Sequence, residues 1–92
     1  MTASTPELRR EMYREMLRIS LWEQRLLRMV EEGRTFGFYH AGRGQEATAV
    51  GAVAALRRDD YLLYDHRGMG QAIAKGVPLD RLFADFLGFA EG

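Results

Sequence analysis

Apolar residues recur at helical spacing through the first third of the chain. Thr5 and Pro6 offer a hydroxyl N-cap and a proline at the first helical position, and Gly33 offers a C-cap. The pattern predicts one long helix of about seven turns with a single apolar stripe. The stripe residues follow one another at intervals of three, four or seven: Leu8, Met12, Met16, Ile19, Leu26 and Val30.

Glu23 interrupts this stripe between Ile19 and Leu26. Two interpretations are open. Its carboxylate could lie at the edge of the apolar face, paired with an arginine or with solvent. Alternatively, it is partly buried and orients a basic group from elsewhere in the fold, because a buried charge needs a partner.

The next apolar segments are shorter. Residues 45–56, QEATAVGAVAAL, are almost all small, which predicts a slim helix inside a packed domain, with Gly51 allowing another element to come close. Residues 61–64, Tyr-Leu-Leu-Tyr, lie between turn signals and predict a short buried strand.

Two more helices are predicted near the end of the chain. One covers residues 70–75 and ends at Gly76, and the other covers residues 78–87, opened by a proline and ended by Gly88. The expected fold class is therefore mainly α: a long N-terminal helix, three shorter helices and one short strand.

Composition narrows the classes of function. The 92 residues allow one small domain. The charges balance, with 13 basic and 13 acidic residues mixed along the chain, so neither nucleic acid nor a membrane is an expected partner. The absence of cysteine excludes disulfides and thiol catalysis. The N-terminus has no signal pattern and no apolar run approaches the roughly 20 residues of a membrane span, so a cytoplasmic protein is expected.

Two loops carry the candidate chemistry. Residues 36–46, FGFYHAGRGQE, combine aromatic rings, glycines and His40, and we interpret them as one wall of a site. Asp65-His66-Arg67-Gly68 would be the second wall, at the passage from strand to helix. A guanidinium and helix N-terminal amides both favour an anion such as a phosphate.

Other sites fit less well. Gly42-Arg43-Gly44 with Ala47 matches a dinucleotide-binding pattern, but the segment before it is not a continuous apolar strand. The only serines, Ser4 and Ser20, cannot form a hydrolase triad with the rest of the chain. Two histidines without motif spacing make a weak metal site.

Several short motifs follow one another along the chain in a characteristic order. These motifs are Gly37-Phe38-Tyr39-His40, Gly44-Gln45-Glu46-Ala47, Val50-Gly51, Asp60-Tyr61 and His66-Arg67-Gly68 with Gly70. In this order the chain, from about Glu11 to Gly88, resembles the N-terminal part of the alpha subunit of thiamine-diphosphate-dependent 2-oxo acid dehydrogenases. That group includes the pyruvate, branched-chain and acetoin dehydrogenases.

The resemblance implies a site shared between polypeptides. In this family the alpha subunit holds the diphosphate and Mg²⁺, and the beta subunit supplies the acid that activates the aminopyrimidine. By position, His66 and Arg67 would bind the cofactor's diphosphate. His40 would be catalytic, lining the entrance for substrate and lipoyl, where an imidazole can exchange a proton near neutral pH.

The resemblance also implies an architecture and partners. Residues 1–92 would form a single partial domain, with residues 5–33 as a helical arm and residues 34–92 as the beginning of an α/β thiamine-diphosphate-binding fold. The expected partners are the remainder of the alpha subunit, the beta subunit and a lipoyl-bearing acyltransferase, in a hetero-oligomer such as a heterotetramer.

The chain also departs from the family pattern. Met69 stands where many relatives have a second histidine. The Gly-Asp-Gly…Asn segment that chelates the metal has no counterpart here, so the Mg²⁺ ligands are expected outside this chain. We therefore expect a fragment or a split subunit, inactive alone. The alternatives are a small non-enzymatic helical interaction module and, less favoured, a truncated dinucleotide-binding unit.

Overall fold

The computed structural model describes residues 5–34, 44–64 and 67–90. Within these residues the chain forms four helices: α1 (Pro6–Glu31), α2 (Glu46–Ala54), α3 (Met69–Lys75) and α4 (Leu79–Leu87). The prediction of one long helix followed by three shorter ones is confirmed, and each observed boundary lies within two residues of the predicted one.

Local signals set the two ends of α1. The Oγ1 atom of Thr5 accepts a hydrogen bond from the Leu8 amide at 3.1 Å, and Pro6 occupies the first turn. Gly33 adopts a φ of 73°, and the Arg34 amide donates to the Met29 carbonyl at 2.9 Å. This arrangement is a Schellman motif, in which a left-handed glycine satisfies the last carbonyls of the helix.

Glycines end α3 and α4 in the same way. Gly76 and Gly88 have φ values of 114° and 80°, in the left-handed region where a side chain is unfavourable. The residue after each glycine donates its amide back into the helix, at 3.1 Å from Val77 and 2.8 Å from Phe89. Both stop positions were predicted from the sequence and are confirmed.

One hydrophobic core joins all four helices. Its centre is the second half of α1, where the apolar stripe turns towards the other helices and is buried. The fully packed members of the core are Ile19, Trp22, Leu26, Val50, Ile73 and Leu82. Because α1 supplies three of these six residues, it is the platform on which the shorter helices assemble.

Trp22 connects α4 to α1. Its ring centroid lies 5.0 Å from that of Phe83 and 5.7 Å from that of Phe86, the second in an edge-on arrangement. The indole nitrogen donates to the Leu79 carbonyl at 3.3 Å. A buried tryptophan with its N–H bonded combines apolar burial with a directional contact, which fixes where the fourth helix lies.

The close approach expected at Gly51 occurs elsewhere. A Cβ atom at Gly51 would meet nothing within 4 Å among the described residues. At Gly70, a Cβ would lie 3.3 Å from the Cβ of Ala49 and 3.4 Å from Cγ2 of Ile19. Among the described residues, the small residue that allows α1, α2 and α3 to pack tightly is therefore Gly70 and not Gly51.

The strand predicted at residues 61–64 is not seen among the described residues. This segment is irregular, and Tyr61 and Leu63 are 99% and 96% exposed. A strand forms its hydrogen bonds with a neighbouring strand, and the described part of the chain contains no other extended segment paired with it. The apolar side chains of Tyr61 and Leu63 are therefore left uncovered by the described part of the chain.

Candidate functional site

Of the three predicted site residues, the structure describes only Arg67. His40 and His66 lie outside the described residues. Arg67 is exposed and occupies the turn immediately before α3. The turn is fixed by its neighbour Gly68, which is buried and lies so close to the Tyr64 ring that a Cβ atom would overlap that ring.

A small cavity lies beside Arg67, where α1, α2 and α3 meet. Its volume is about 10 Å³, room for about one water molecule. Both charged and carboxamide side chains contribute to its lining, together with the apolar residues of the helix crossing. The residues that line it are Ile19, Glu23, Gln45, Glu46, Ala49, Arg67, Gly70 and Gln71.

Glu23 is the most deeply buried polar residue of this cavity. Its side chain faces inward from α1, and the residue is 1% exposed. This burial decides between the two sequence-based interpretations of Glu23: it is not a carboxylate at the solvent edge of the apolar face. A carboxylate placed this far from water is costly unless positive charge or hydrogen-bond donors compensate it.

Glu46 has a structural role at the same place. Its Oε2 atom accepts a hydrogen bond from the Gly44 amide at 2.9 Å, and Gly44 has a φ of 90°. The carboxylate also lies in the first turn of α2, where the helix dipole favours negative charge. Glu46 therefore caps the loop that precedes α2.

Gln71 is a cavity residue that the sequence reasoning missed. It lies in the first turn of α3, four residues after Arg67, and is half-buried. The spacing from Arg67 was the available signal, since residues four apart lie on one side of a helix. It was not decisive, because Arg67 belongs to the turn and not to the helix itself.

The described residues also form larger depressions outside this cavity. A depression of about 560 Å³ lies on α1, and the described residues that line it all belong to that helix. Within the described ranges there is no group of three or more acidic or histidine residues able to hold a metal ion. No helix among them is long and apolar enough to cross a membrane.

Comparison with known proteins identifies the family. The sequence profile of the dehydrogenase E1 component family matches residues 13–92, which is most of the chain. The chain belongs to the dehydrogenase E1 component family. No solved structure gives a significant match.

Named relatives of this E1 family chain are alpha subunits. It is 41% identical over 81 residues to the alpha subunit of acetoin:2,6-dichlorophenolindophenol oxidoreductase of Bacillus subtilis, covering 88% of this chain and 24% of that protein. It is 33% identical over 91 residues to a chloroplastic pyruvate dehydrogenase E1 alpha subunit of Oryza sativa, covering 99% of this chain and 21% of that protein. The chain thus spans less than a quarter of the length of these relatives.

Proposed function

We propose that this chain forms the N-terminal part of the alpha subunit of a thiamine-diphosphate-dependent 2-oxo acid dehydrogenase. The assembly would decarboxylate a 2-oxo acid oxidatively, or cleave acetoin, and transfer the acyl group to lipoyl. The observation that carries the proposal is the family match over residues 13–92, together with an exposed arginine at the position that the family motif assigns to the diphosphate.

The described residues fit one end of the cofactor. An arginine offers a planar fork of N–H donors, and Arg67 is exposed, which suits a phosphate group. The neighbouring cavity of about 10 Å³ is far too small for a whole coenzyme. We therefore assign to this chain the diphosphate contact by Arg67 and His66, and the rest of the cofactor to other polypeptide.

When bound, thiamine diphosphate supplies the carbanion chemistry that decarboxylation of a 2-oxo acid requires. The residues of this chain would hold and orient the coenzyme and exchange a proton. His40 is assigned the role of proton donor or acceptor at the substrate and lipoyl entrance, because the imidazole is the side chain whose ordinary pKa lies nearest neutrality.

The magnesium ion would be held by residues that this chain does not supply. The proposed partners are the remainder of the alpha subunit, the beta subunit and a lipoyl-bearing acyltransferase. The α/β thiamine-diphosphate-binding fold would be completed by the same polypeptides, and the exposed Tyr61 and Leu63 would then face a neighbouring strand.

The two alternative functions are not favoured. A helical interaction module would need the apolar stripe of α1 to be available for a partner, but Ile19 and Leu26 are 1% and 0% exposed within the chain's own core. A dinucleotide-binding unit is not favoured because the family match over residues 13–92 is to the dehydrogenase E1 component.

A chimera tests the proposal directly. Residues 13–92 would replace the matching segment of the Bacillus subtilis acetoin oxidoreductase alpha subunit, expressed with its partner subunits. We expect Arg67→Ala in this chimera to raise the half-saturating thiamine diphosphate concentration by about 10- to 100-fold, the value of one charge-assisted contact. Activity titrated against thiamine diphosphate at saturating Mg²⁺ gives the measurement.

Arg81→Ala is the matched control, because Arg81 is an exposed arginine of α4 outside the Arg67 cavity. It should leave the cofactor requirement unchanged. An unchanged requirement in Arg67→Ala as well would refute the diphosphate assignment. Tight one-to-one binding of thiamine diphosphate and Mg²⁺ by the 92-residue chain alone, measured by calorimetry, would contradict the shared site.

A further inference from the structure

We propose that Glu23 is a positioning residue that holds the side chain of Arg67 in the orientation in which it meets its ligand. The identity of that ligand rests on the proposed function, but the pairing of Glu23 with Arg67 does not. The two residues come from elements far apart in the sequence, α1 and the turn before α3, and they line the same small cavity.

The first step of the argument is burial. Glu23 lies in α1 between the core residues Trp22 and Leu26, which are 2% and 0% exposed, and is itself 1% exposed. An ionised carboxylate in such surroundings requires positive charge or several donors close by. An apolar residue would fill this position at lower cost, so the carboxylate indicates a function other than packing.

The second step is the charge balance of the cavity. Among the described residues that line it, two are acidic, Glu23 and Glu46, and Arg67 alone is basic. Glu46 already accepts a hydrogen bond from the Gly44 amide at 2.9 Å and supports the start of α2. We therefore pair the guanidinium of Arg67 with the carboxylate of Glu23 and not with that of Glu46.

The third step is the difference between the places of the two residues in the fold, one in a turn and one in a helix. Arg67 is exposed and lies in a turn, where a long side chain has many accessible rotamers and loses entropy when it binds. Glu23 is carried by a 26-residue helix anchored in the core by Ile19 and Leu26. A carboxylate held on an anchored helix orients the guanidinium of an exposed arginine in advance and lowers the cost of binding.

The test uses Glu23→Gln in the full 92-residue chain, a change that removes the charge while keeping the shape. The readout is the heteronuclear NOE of the Arg67 Nε–Hε group, identified by its disappearance in Arg67→Lys. We expect the NOE to fall to the value of an exposed arginine such as Arg81. Glu15→Gln is the control, since Glu15 belongs to the same helix but pairs with Arg18 at 2.6 Å. An unchanged NOE in folded Glu23→Gln, or an equal fall in Glu15→Gln, would overturn the proposal.

A reciprocal variant keeps the test decisive if Glu23→Gln does not fold. Arg67 is exposed, so Arg67→Gln should fold. The carboxyl carbon resonance of Glu23 should shift in Arg67→Gln and stay in place in Arg81→Gln. A Glu23 resonance that is the same in both variants would show that the two side chains do not interact and would end the proposal.

The chimera separates this inference from the proposed function. If Glu23→Gln loosens Arg67 and also raises the thiamine diphosphate requirement, by less than Arg67→Ala does, both ideas are supported. If it loosens Arg67 while neither variant changes the cofactor requirement, the positioning role stands and the diphosphate assignment fails. If Arg67→Ala raises the requirement but Glu23→Gln leaves Arg67 ordered, the positioning role alone fails.

Discussion

The second half of α1 and the segment at residues 61–64 are both rich in large apolar side chains, but they have opposite fates. In α1, Ile19 and Leu26 are 1% and 0% exposed. In the later segment, Tyr61 and Leu63 are 99% and 96% exposed. The difference does not come from hydrophobicity, because both segments would gain from burial.

The difference lies in where each segment finds its hydrogen-bond partners. A helix bonds its amides to carbonyls four residues away, so α1 needs only an apolar neighbour to be stable. An extended segment must bond to another strand, which can be distant in sequence or belong to other polypeptide. Apolar composition therefore favours burial of a segment, but the position of a suitable partner decides whether that burial occurs.

The largest expected effect is the difference in free energy of unfolding between Leu26→Ala and Leu63→Ala. Leu26→Ala should lower the free energy of unfolding by about 2–5 kcal/mol, because it leaves a cavity in the core. Leu63→Ala removes the same atoms from an exposed site and should change the free energy of unfolding by less than about 0.5 kcal/mol. Urea unfolding followed by far-UV circular dichroism measures both, and equal losses would show that residues 61–64 are packed after all.

A smaller difference in free energy of unfolding is expected between Gly70→Ala and Gly51→Ala. Gly70→Ala places a methyl group 3.3 Å from the Cβ of Ala49, whereas Gly51→Ala places one in open space. The second variant should gain about 0.5–1 kcal/mol from helix propensity, and crowding of about 1–3 kcal/mol should offset that gain in the first. The same unfolding experiment gives both values. A more stable Gly70→Ala would mean that the three-helix crossing is looser than described.

The smallest expected effect is the protection of the amides of Leu62, Leu63 and Tyr64. In the 92-residue chain these amides should exchange within about tenfold of the rate of an unstructured peptide, because no helix or strand includes them. In the chimera they should become protected as a neighbouring strand pairs with them. Hydrogen exchange read by mass spectrometry or NMR compares the two, and equal exchange in both would remove the case for a strand at this position.

Helix ends were predictable because their causes are local. The hydroxyl of Thr5 and the glycines Gly33, Gly76 and Gly88 act within a few residues of their own position, and all four mark helix ends in the structure. The burial of each residue in the apolar stripe of α1 was less predictable, since Leu8 has the same spacing as Ile19 but is 39% exposed. Spacing assigns residues to one face of a helix and does not say how far the partner extends along that face.

The candidate site was only partly predictable. Arg67 was identified from its motif, and the structure shows it exposed beside a polar cavity. His40 and His66, predicted from the same motifs, lie outside the described residues and remain predictions. Glu23 was noticed as a charge within an apolar stripe, but its neighbours across the cavity come from α2 and α3, and no spacing along α1 indicates them.

The sequence by itself determined the four helices, their end signals and the family of the protein, because these depend on residues within a few positions or on motif order. Only the tertiary structure decided that Gly70 and not Gly51 sits at the helix crossing, that Glu23 is buried and lines the same cavity as Arg67, and that residues 61–64 are irregular. Each of these depends on which surfaces meet in space, and that is settled by the packing of distant segments against one another.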